Sequence, residues 1–352
     1  MKRAVHLLSL LLLCVISSLA QTSAPSSDDA EAASPVAKSA NEVKTMLEAA
    51  YGKNVLTVAS APYHLLATFQ TFAPDGTATG DGSIERWVVP SGHMKTVMHF
   101  GGHTMSDFSD RGRSVFTDDG YVGSIMSYYA RSFLDYQNVS WWTKAKRDIQ
   151  TDVRSIQGAV LDCGAFQGWI EPPEYPAMPP EVYCVSRDTG ALALRQTERF
   201  SVRYQDYVPF QGQSIARRIT ASKGPHVRCR IKIEQLDQVA LDDAAMAPPP
   251  DASSTSPEPN IWATKASETT PIKTGKVTVP PALKASHAEG LVEVFILISR
   301  TGSVIDVEPL FSVSPDLEDI AEQTVKTWSY RPILRDGKPI EVIRIARLPL
   351  QF

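Results

Sequence analysis

Three histidines, His93, His99 and His103, fall within a short span. All stand at odd positions, so on one continuous strand they would share a face, because successive strand residues point to opposite sides. Gly101-Gly102 interrupts that strand before His103. No carboxylate stands at zinc-motif spacing, and an H-E-x-x-H helix is absent. The three therefore read as ordinary polar or strand-edge histidines, and no metal is expected. Gly212-Gln213-Ser214-Ile215-Ala216 approaches a nucleophile elbow, with Ala in place of the final Gly. An elbow needs a strand before the serine and a helix after it. Arg217 to Thr220 reads instead as strand, so Ser214 is not expected to attack anything. The chain has neither a Walker loop nor a dinucleotide fingerprint. No cofactor is expected, and the sequence does not read as an enzyme. Asn138-Val139-Ser140 fits the glycosylation triplet but reads as a loop or helix-end asparagine.

The cysteines carry more information. Apart from Cys14, which lies in an apolar leader, the chain holds Cys163, Cys184 and Cys229. No C-x-x-C occurs, so neither a redox pair nor a zinc ribbon is signalled. In an oxidising compartment two of the three should pair. Cys163 and Cys184 flank a Pro-rich excursion, Glu171 to Pro180, which a bridge would close. Cys229 is then a buried strand thiol, and Cys184–Cys229 is the alternative pairing.

An oxidising compartment is what the leader implies. Lys2-Arg3 precede an apolar run from Leu7 to Leu19, and Ser18-Leu19-Ala20 is a small-x-small cleavage site before Gln21. Residues 1–20 thus read as a secretory signal peptide, the run being short for a span that needs roughly twenty apolar residues. An uncleaved inner-membrane anchor is the rival reading. The net charge of -4 is unclustered and offers no basic stripe, which excludes a nucleic-acid footprint.

Residues 21–40, rich in Ser, Ala and acid, read as a disordered tether. Asn41 to Tyr51 carries Val43, Met46, Leu47 and Ala50 at helical spacing and predicts an amphipathic helix. It opens a first domain spanning 41–243. Strands are predicted over Tyr63–Phe72, Gly82–Val89, Met94–Phe100, Met105–Ser109 and Arg113–Thr117, with turns at Asp75-Gly76, Asp81-Gly82 and Asp119-Gly120. A helical patch rich in Tyr and Phe, Ile125 to Tyr136, interrupts. Strands then resume over Gly158–Cys163, Val182–Ser186, Ala191–Thr197, Phe200–Tyr207, Ser214–Thr220 and Val227–Leu236. A long antiparallel sheet of this kind curls, and a helix across its mouth encloses apolar space. Trp87, Phe100, Phe108, Tyr128 and Phe133 are the residues expected to line such a ligand cavity, with Tyr129, Trp141 and Trp142 near them; filling a core is the alternative use of the same side chains. Phe116-Thr-Asp-Asp-Gly-Tyr121, Tyr183-Cys-Val-Ser-Arg-Asp-Thr-Gly-Ala-Leu192 and Arg203-Tyr-Gln-Asp-Tyr207 give the domain a resemblance to the LolA/LolB half-barrel, periplasmic carriers and receptors for lipoprotein acyl chains. That resemblance implies a lipid or acyl chain as ligand.

Residues 244–276 read as a Pro-rich linker, extended and semi-stiff, with Pro248-Pro249-Pro250, Pro257 and Pro259. Beyond it, Pro280-Pro281 opens a short helix to Ala288 that Gly290 stops. Val292, Val294, Ile296 and Ile298 alternate in a strand, Thr301-Gly302 turns, and Val304 to Leu310 returns. Ser314-Pro315-Asp316 starts a helix whose stripe, Leu317, Ile320, Ala321, Thr324 and Val325, closes at Trp328. The Trp328 ring is expected between helix and sheet. Pro332 ends the helical run, Asp336-Gly337 turns, and Ile340 to Leu350 is a last strand.

The ordered series, with Trp328-Ser-Tyr-Arg-Pro332, Asp336-Gly-Lys-Pro339 and Pro349-Leu-Gln-Phe352, resembles the C-terminal domain of the TonB energy-transducer family over residues 277–352. Val279 stands where that family often has tyrosine. The resemblance implies a small α+β domain that contacts envelope proteins, outer-membrane transporters among them, without catalysis. Arg344, Arg347 and Gln351 on the last strand are the candidate contact residues, a solvated face being the alternative. The chain is thus expected to be α+β: a curled antiparallel half-barrel with a helical insert, a Pro-rich linker and a small TonB-like domain. It is expected to work in the periplasm, docking a protein in support of transport or, alternatively, carrying a hydrophobic ligand.

Overall fold

The computed structural model describes residues 35–52, 56, 59–110, 112–121, 123–135, 149–166, 181–197, 199–254, 256, 270–281, 283, 289–311, 315–335 and 337–351. The expected leader, most of the tether, Trp141, Trp142, the excursion 171–180 and nearly all of the short helix 281–288 lie outside the described residues. Among the described residues no helix is long and apolar enough to cross a membrane. Everything below belongs to one unit, residues 36–352.

Two meanders build the large sheet. The first is β1 (Tyr63–Phe72), β2 (Ala78–Val88), β3 (His93–Phe100), β4 (His103–Asp110) and β5 (Arg113–Asp118). The second is β6 (Ile149–Ile156), β7 (Ala159–Phe166), β8 (Glu181–Ser186), β9 (Leu192–Gln196), β10 (Ser201–Phe210), β11 (Gln213–Lys223) and β12 (His226–Gln238). They join where β1 pairs antiparallel with β12, giving one twelve-stranded sheet that curls but does not close, with β5 and β6 as its ends. Its inner face is apolar across the seam, where a one-residue register shift between Leu66 and Ala67 sets Ala67 opposite Ile233 and Phe69 opposite Ile231. Leu65, Ala67 and Phe69 of β1 share a core with Ile84 of β2 and Ile231 and Ile233 of β12.

Among the described residues two helices cover that face. Helix α1 (Ala40–Gly52) buries Val43, Leu47 and Ala50 and packs on β6 to β9. Its start is fixed by a reciprocal box: the Glu42 amide donates to Ser39 Oγ, and the Ser39 amide donates to Glu42 Oε2 at 2.9 Å. The Ser39 hydroxyl, donating to Glu42 Oε2 at 2.6 Å, and then the Ser39 amide hold the exposed Glu42 carboxyl below its ordinary pKa. Helix α2 (Ile125–Leu134) has a second box between Ser124 and Ser127 and packs on β12, β1 and β11.

Most expected strands form, and the departures follow from what neighbouring strands place against them. Asp81-Gly82 lies inside β2 instead of turning. Gly82 is required there because a Cβ would collide with the Phe69 ring and the His99 carbonyl, and Phe69 stacks on Phe100 across the space. Strand β6 is not among the expected strands; its sequence, IQTDVRSI, is mostly polar and buries none of its residues fully, as suits an end strand. Cys163 stands directly opposite Cys184 on β7 and β8 and is bonded to it, while Cys229 is buried and free.

The C-terminal sheet has the order β15 (Val304–Phe311), β14 (Glu289–Ile298), β19 (Val342–Gln351). Helix α3 (Pro315–Val325) packs on one face, where Leu317, Ile320, Ala321 and Val325 meet the apolar side of β14, and Trp328 packs against the same cluster. Two short pairs complete it: β13 (Pro271–Lys273) with β16 (Ser329–Tyr330), and β17 (Ile333–Arg335) with β18 (Lys338–Ile340). The last strand, expected to be continuous from Ile340, is divided at Glu341 into β18 and β19. Described parts of the Pro-rich stretch are fastened by backbone pairing: Ser253 exchanges two hydrogen bonds with Phe116, at 2.7 and 2.8 Å, and β13 pairs with β16.

Two outcomes test this fold. Non-reducing peptide mapping should recover Cys163 linked to Cys184 and Cys229 as a thiol. Replacing both bonded cysteines by alanine should lower stability by roughly 3 kcal/mol in a denaturant melt; a Cys184–Cys229 peptide would contradict the pairing. Trp328→Ala removes a large ring from a small core, a change worth about 3–5 kcal/mol when burial is complete. Trp328 is half-buried and should fall at the lower end. Hydrogen exchange should accelerate in α3 and β14 while β7 and β8 keep their protection.

Candidate interaction surfaces

Strand β19 pairs with β14 along one side, and among the described residues no strand pairs with its other side. Such an edge leaves main-chain donors and acceptors in a row for an added strand. Of the expected contact residues, Arg347 lies opposite Glu293 and is ion-paired with it at 2.5 Å on an exposed surface. Arg344 lies opposite Ile296, half-buried and on the other face, because the two arginines are an odd number of positions apart on the strand, with Ile345 and Ala346 between them. Its charge eases the deprotonation of Tyr330, whose phenol burial pushes up to about 12. Gln351 pairs in the backbone with Glu289, and its side chain lies outside the described residues. The exposed apolar residue of this strand is Ile345, 39% accessible.

The five aromatics expected around a cavity occupy three separate places. Phe133 is buried in the core beneath α2, and Phe100 packs against that core beside Phe69. Tyr128 instead packs with residues of the C-terminal sheet. Trp87 and Phe108 are on the outer face. They belong to a cross-strand row, His64, Trp87, Lys95, Phe108, in which the Lys95 ammonium lies 5.1 Å from one ring and 5.6 Å from the other. Ile84, Arg86 and Val88, the residues alternating with Trp87, take the inner face.

The histidines do not converge. His93 faces Asp110 at 3.0 Å and Asp243 at 3.4 Å, His99 lies beside Thr104, and His103 beside Asp119. Among the described residues no three His, Cys, Asp or Glu side chains gather where they could share an ion. Ser214 lies within β11, with a strand on both sides of its turn.

The most developed surface is one that sequence reasoning missed. The face of the C-terminal sheet opposite α3 packs on α2 and on the strand ends around it. Its apolar centre is Phe295, Leu297, Leu310 and Ile343 against Ile125 and Tyr128. Around that centre lie charged contacts. Arg228 of β12 grips both oxygens of Glu308, one at 2.6 Å, and donates through Nε to the Phe72 carbonyl at 2.9 Å. Lys223 reaches Glu318 at 3.1 Å and the Pro309 carbonyl at 2.8 Å. Arg300 approaches Asp118 at 3.9 Å. Asp306 accepts from the Ile125 amide at 2.8 Å. An apolar centre inside a polar rim is the anatomy of a protein–protein interface. Burial pushes the Glu308 carboxyl up to about 7 against the pull of Arg228, and raises Asp306 against two amide donors. Glu341, at the break before β19, is likewise raised to about 7 by burial. Acidic residues at alternate positions of β15, Asp306 and Glu308, were the available sequence signal: they stripe one face of a strand whose neighbours are apolar.

A second charged group holds α2 to the large sheet. Arg131 is bonded to buried Asp107 of β4, and Asp135, just past the helix, meets fully buried Arg86 of β2 at 2.5 Å. Arg86 Nε also donates to Thr96 at 3.2 Å.

No curated protein matches the sequence. Among solved structures, a DUF1329 family protein from Desulfovibrio piger overlays with a TM-score of 0.39 at 14% identity, covering 58% of this chain and 97% of the other. A LolA superfamily protein from Nitrosomonas europaea overlays with a TM-score of 0.35 at 10% identity, covering 58% and 97%. Residues 276–352 match the family described as Gram-negative bacterial TonB protein C-terminal, so the sheet β14, β15 and β19 with α3 is a TonB-type C-terminal segment.

Proposed function

We propose that this chain is a periplasmic envelope protein that docks a partner protein in support of transport, using the outer edge of β19. The observation that carries the reading is the TonB-type segment at residues 276–352, together with the strand-free side of β19 within it. An added strand would gain affinity from main-chain hydrogen bonds, with Ile345 and Arg347, exposed side chains on the same face as Phe295, giving selectivity. The task is binding, and no catalytic group is assigned to it. The signal peptide, the two-domain division and cleavage after Ala20 belong to this proposal.

Carriage of a hydrophobic ligand by the large sheet is the second reading. What favours it is the ring cluster where α2 meets the large sheet, in which Tyr129 of the helix lies 5.7 Å from Phe133 of the same helix and 5.0 Å from Phe200. Here too the partner would be an acyl chain or lipid, and lipid analysis of protein purified from its native envelope would find it.

A photo-crosslinking residue placed at Ile345 or Arg347 in cells tests the docking reading, with exposed Gln323 on α3 as control. The β19 positions should capture a discrete envelope protein that Gln323 does not. Capture of nothing from β19, or of the same products from both faces, would refute it.

A further inference from the structure

Helix α2 belongs to two cores at once. Met126, Ala130, Phe133 and Leu134 point into the large sheet, while Ile125 and Tyr128 point into the cluster of the C-terminal sheet. Tyr129 packs against both. The two ends of the helix are held by different partners. At the N-terminal end the Ile125 amide donates to Asp306 of the C-terminal sheet. This is one of the first amides of a helix, which have no partner within it, and a carboxylate there also answers the helix dipole. At the C-terminal end, Arg131 and Asp135 are tied to Asp107 and Arg86 of the large sheet.

We propose that α2 is a gate over the apolar interior of the large sheet, held shut by the C-terminal sheet and hinged at its Arg131–Asp135 end. When the C-terminal sheet leaves, the helix loses the Asp306 bond and the cover over Ile125 and Tyr128 together. A ten-residue helix is too short to persist without tertiary support. Its first turns then loosen, whereas the two ion pairs keep the last turn in place. Phe200, which the helix's own Tyr129 and Phe133 cover, becomes accessible from the N-terminal side of the helix. The gate rests on the docking reading only for what draws the C-terminal sheet away; the coupling between that sheet and α2 does not need it.

The test uses the full chain and three variants that disturb the contact from different sides. Phe295→Ala removes the ring that lies 4.7 Å from the Arg199 guanidinium and packs in the shared cluster. Asp306→Asn keeps the shape of the cap and removes its charge. Lys223→Glu sets like charge against Glu318 and removes the bond to the Pro309 carbonyl. In hydrogen exchange, residues 125–130 should exchange about tenfold faster in each variant, which corresponds to ~1.4 kcal/mol of local stability. Residues 159–166 and 315–325 should stay within twofold of wild type (roughly the size of a change worth under 0.5 kcal/mol), and the apolar dye ANS should bind more strongly. If Phe295→Ala fails to fold, the two polar variants decide. Unchanged exchange over 125–130 in the folded variants overturns the gate. So does a uniform rise over α2, α3 and β7, which would mean general destabilisation. A β19 edge that captures nothing while α2 loosens would remove the docking reading and leave the gate standing.

Discussion

The structure depends on one short helix being buried on two sides. A ten-residue helix with a single apolar stripe would cover the large sheet and show its other side to water. Helix α2 instead carries apolar residues around much of its girth, and the C-terminal sheet buries the remainder. The same contact explains why a sheet of only three strands tolerates Phe295, Leu297, Leu310 and Ile343 on the face away from its own helix. Each of the two sheets would otherwise present a contiguous apolar patch, which soluble proteins seldom leave open.

Charge placement fixes the register of that contact. Arg228 and Glu308 are both almost wholly buried, and each offers the other bidentate geometry. A pair of this kind adds little net stability, because desolvating two ions offsets most of their attraction, yet leaving either one alone is strongly unfavourable. It therefore acts against misplaced arrangements more than it strengthens the correct one. Arg86, Asp107, Arg131 and Asp135 do the same inside the large sheet, holding the end of α2 over β2 and β4.

On the proposed reading, docking uses an edge of the C-terminal sheet and shielding uses one of its faces. The face toward α2 is occupied, the face toward α3 forms a small core, and the outer side of β19 carries no strand among the described residues. Among the described residues an added strand at β19 would displace no other strand, whereas in the proposed gate the interior of the large sheet opens only when α2 moves.

Local chemistry made much of this legible in the sequence. Alternation located β1, β3, β4 and β8, and the Pro315 start with the Leu317–Val325 stripe located α3, because these signals depend on neighbouring residues alone. The ordered motifs from Trp328 to Leu350 identified the TonB-type segment for the same reason. What escaped was decided at a distance. Gly82 resembles a turn residue until Phe69, from another strand, fills the space above it. Trp87 and Phe108 resemble cavity residues until the register of β2, β3 and β4 turns them to the outer face around Lys95. The Cys163–Cys184 pairing, by contrast, was expected from the Pro-rich excursion the two cysteines flank, and the register of β7 and β8 sets them opposite each other. Asp306 and Glu308 carry no local sign of their partners, since the Ile125 amide and Arg228 come from far along the chain. A sequence records the period of each strand, but which side of it is buried, and by what, follows only when the strands and helices have been brought together.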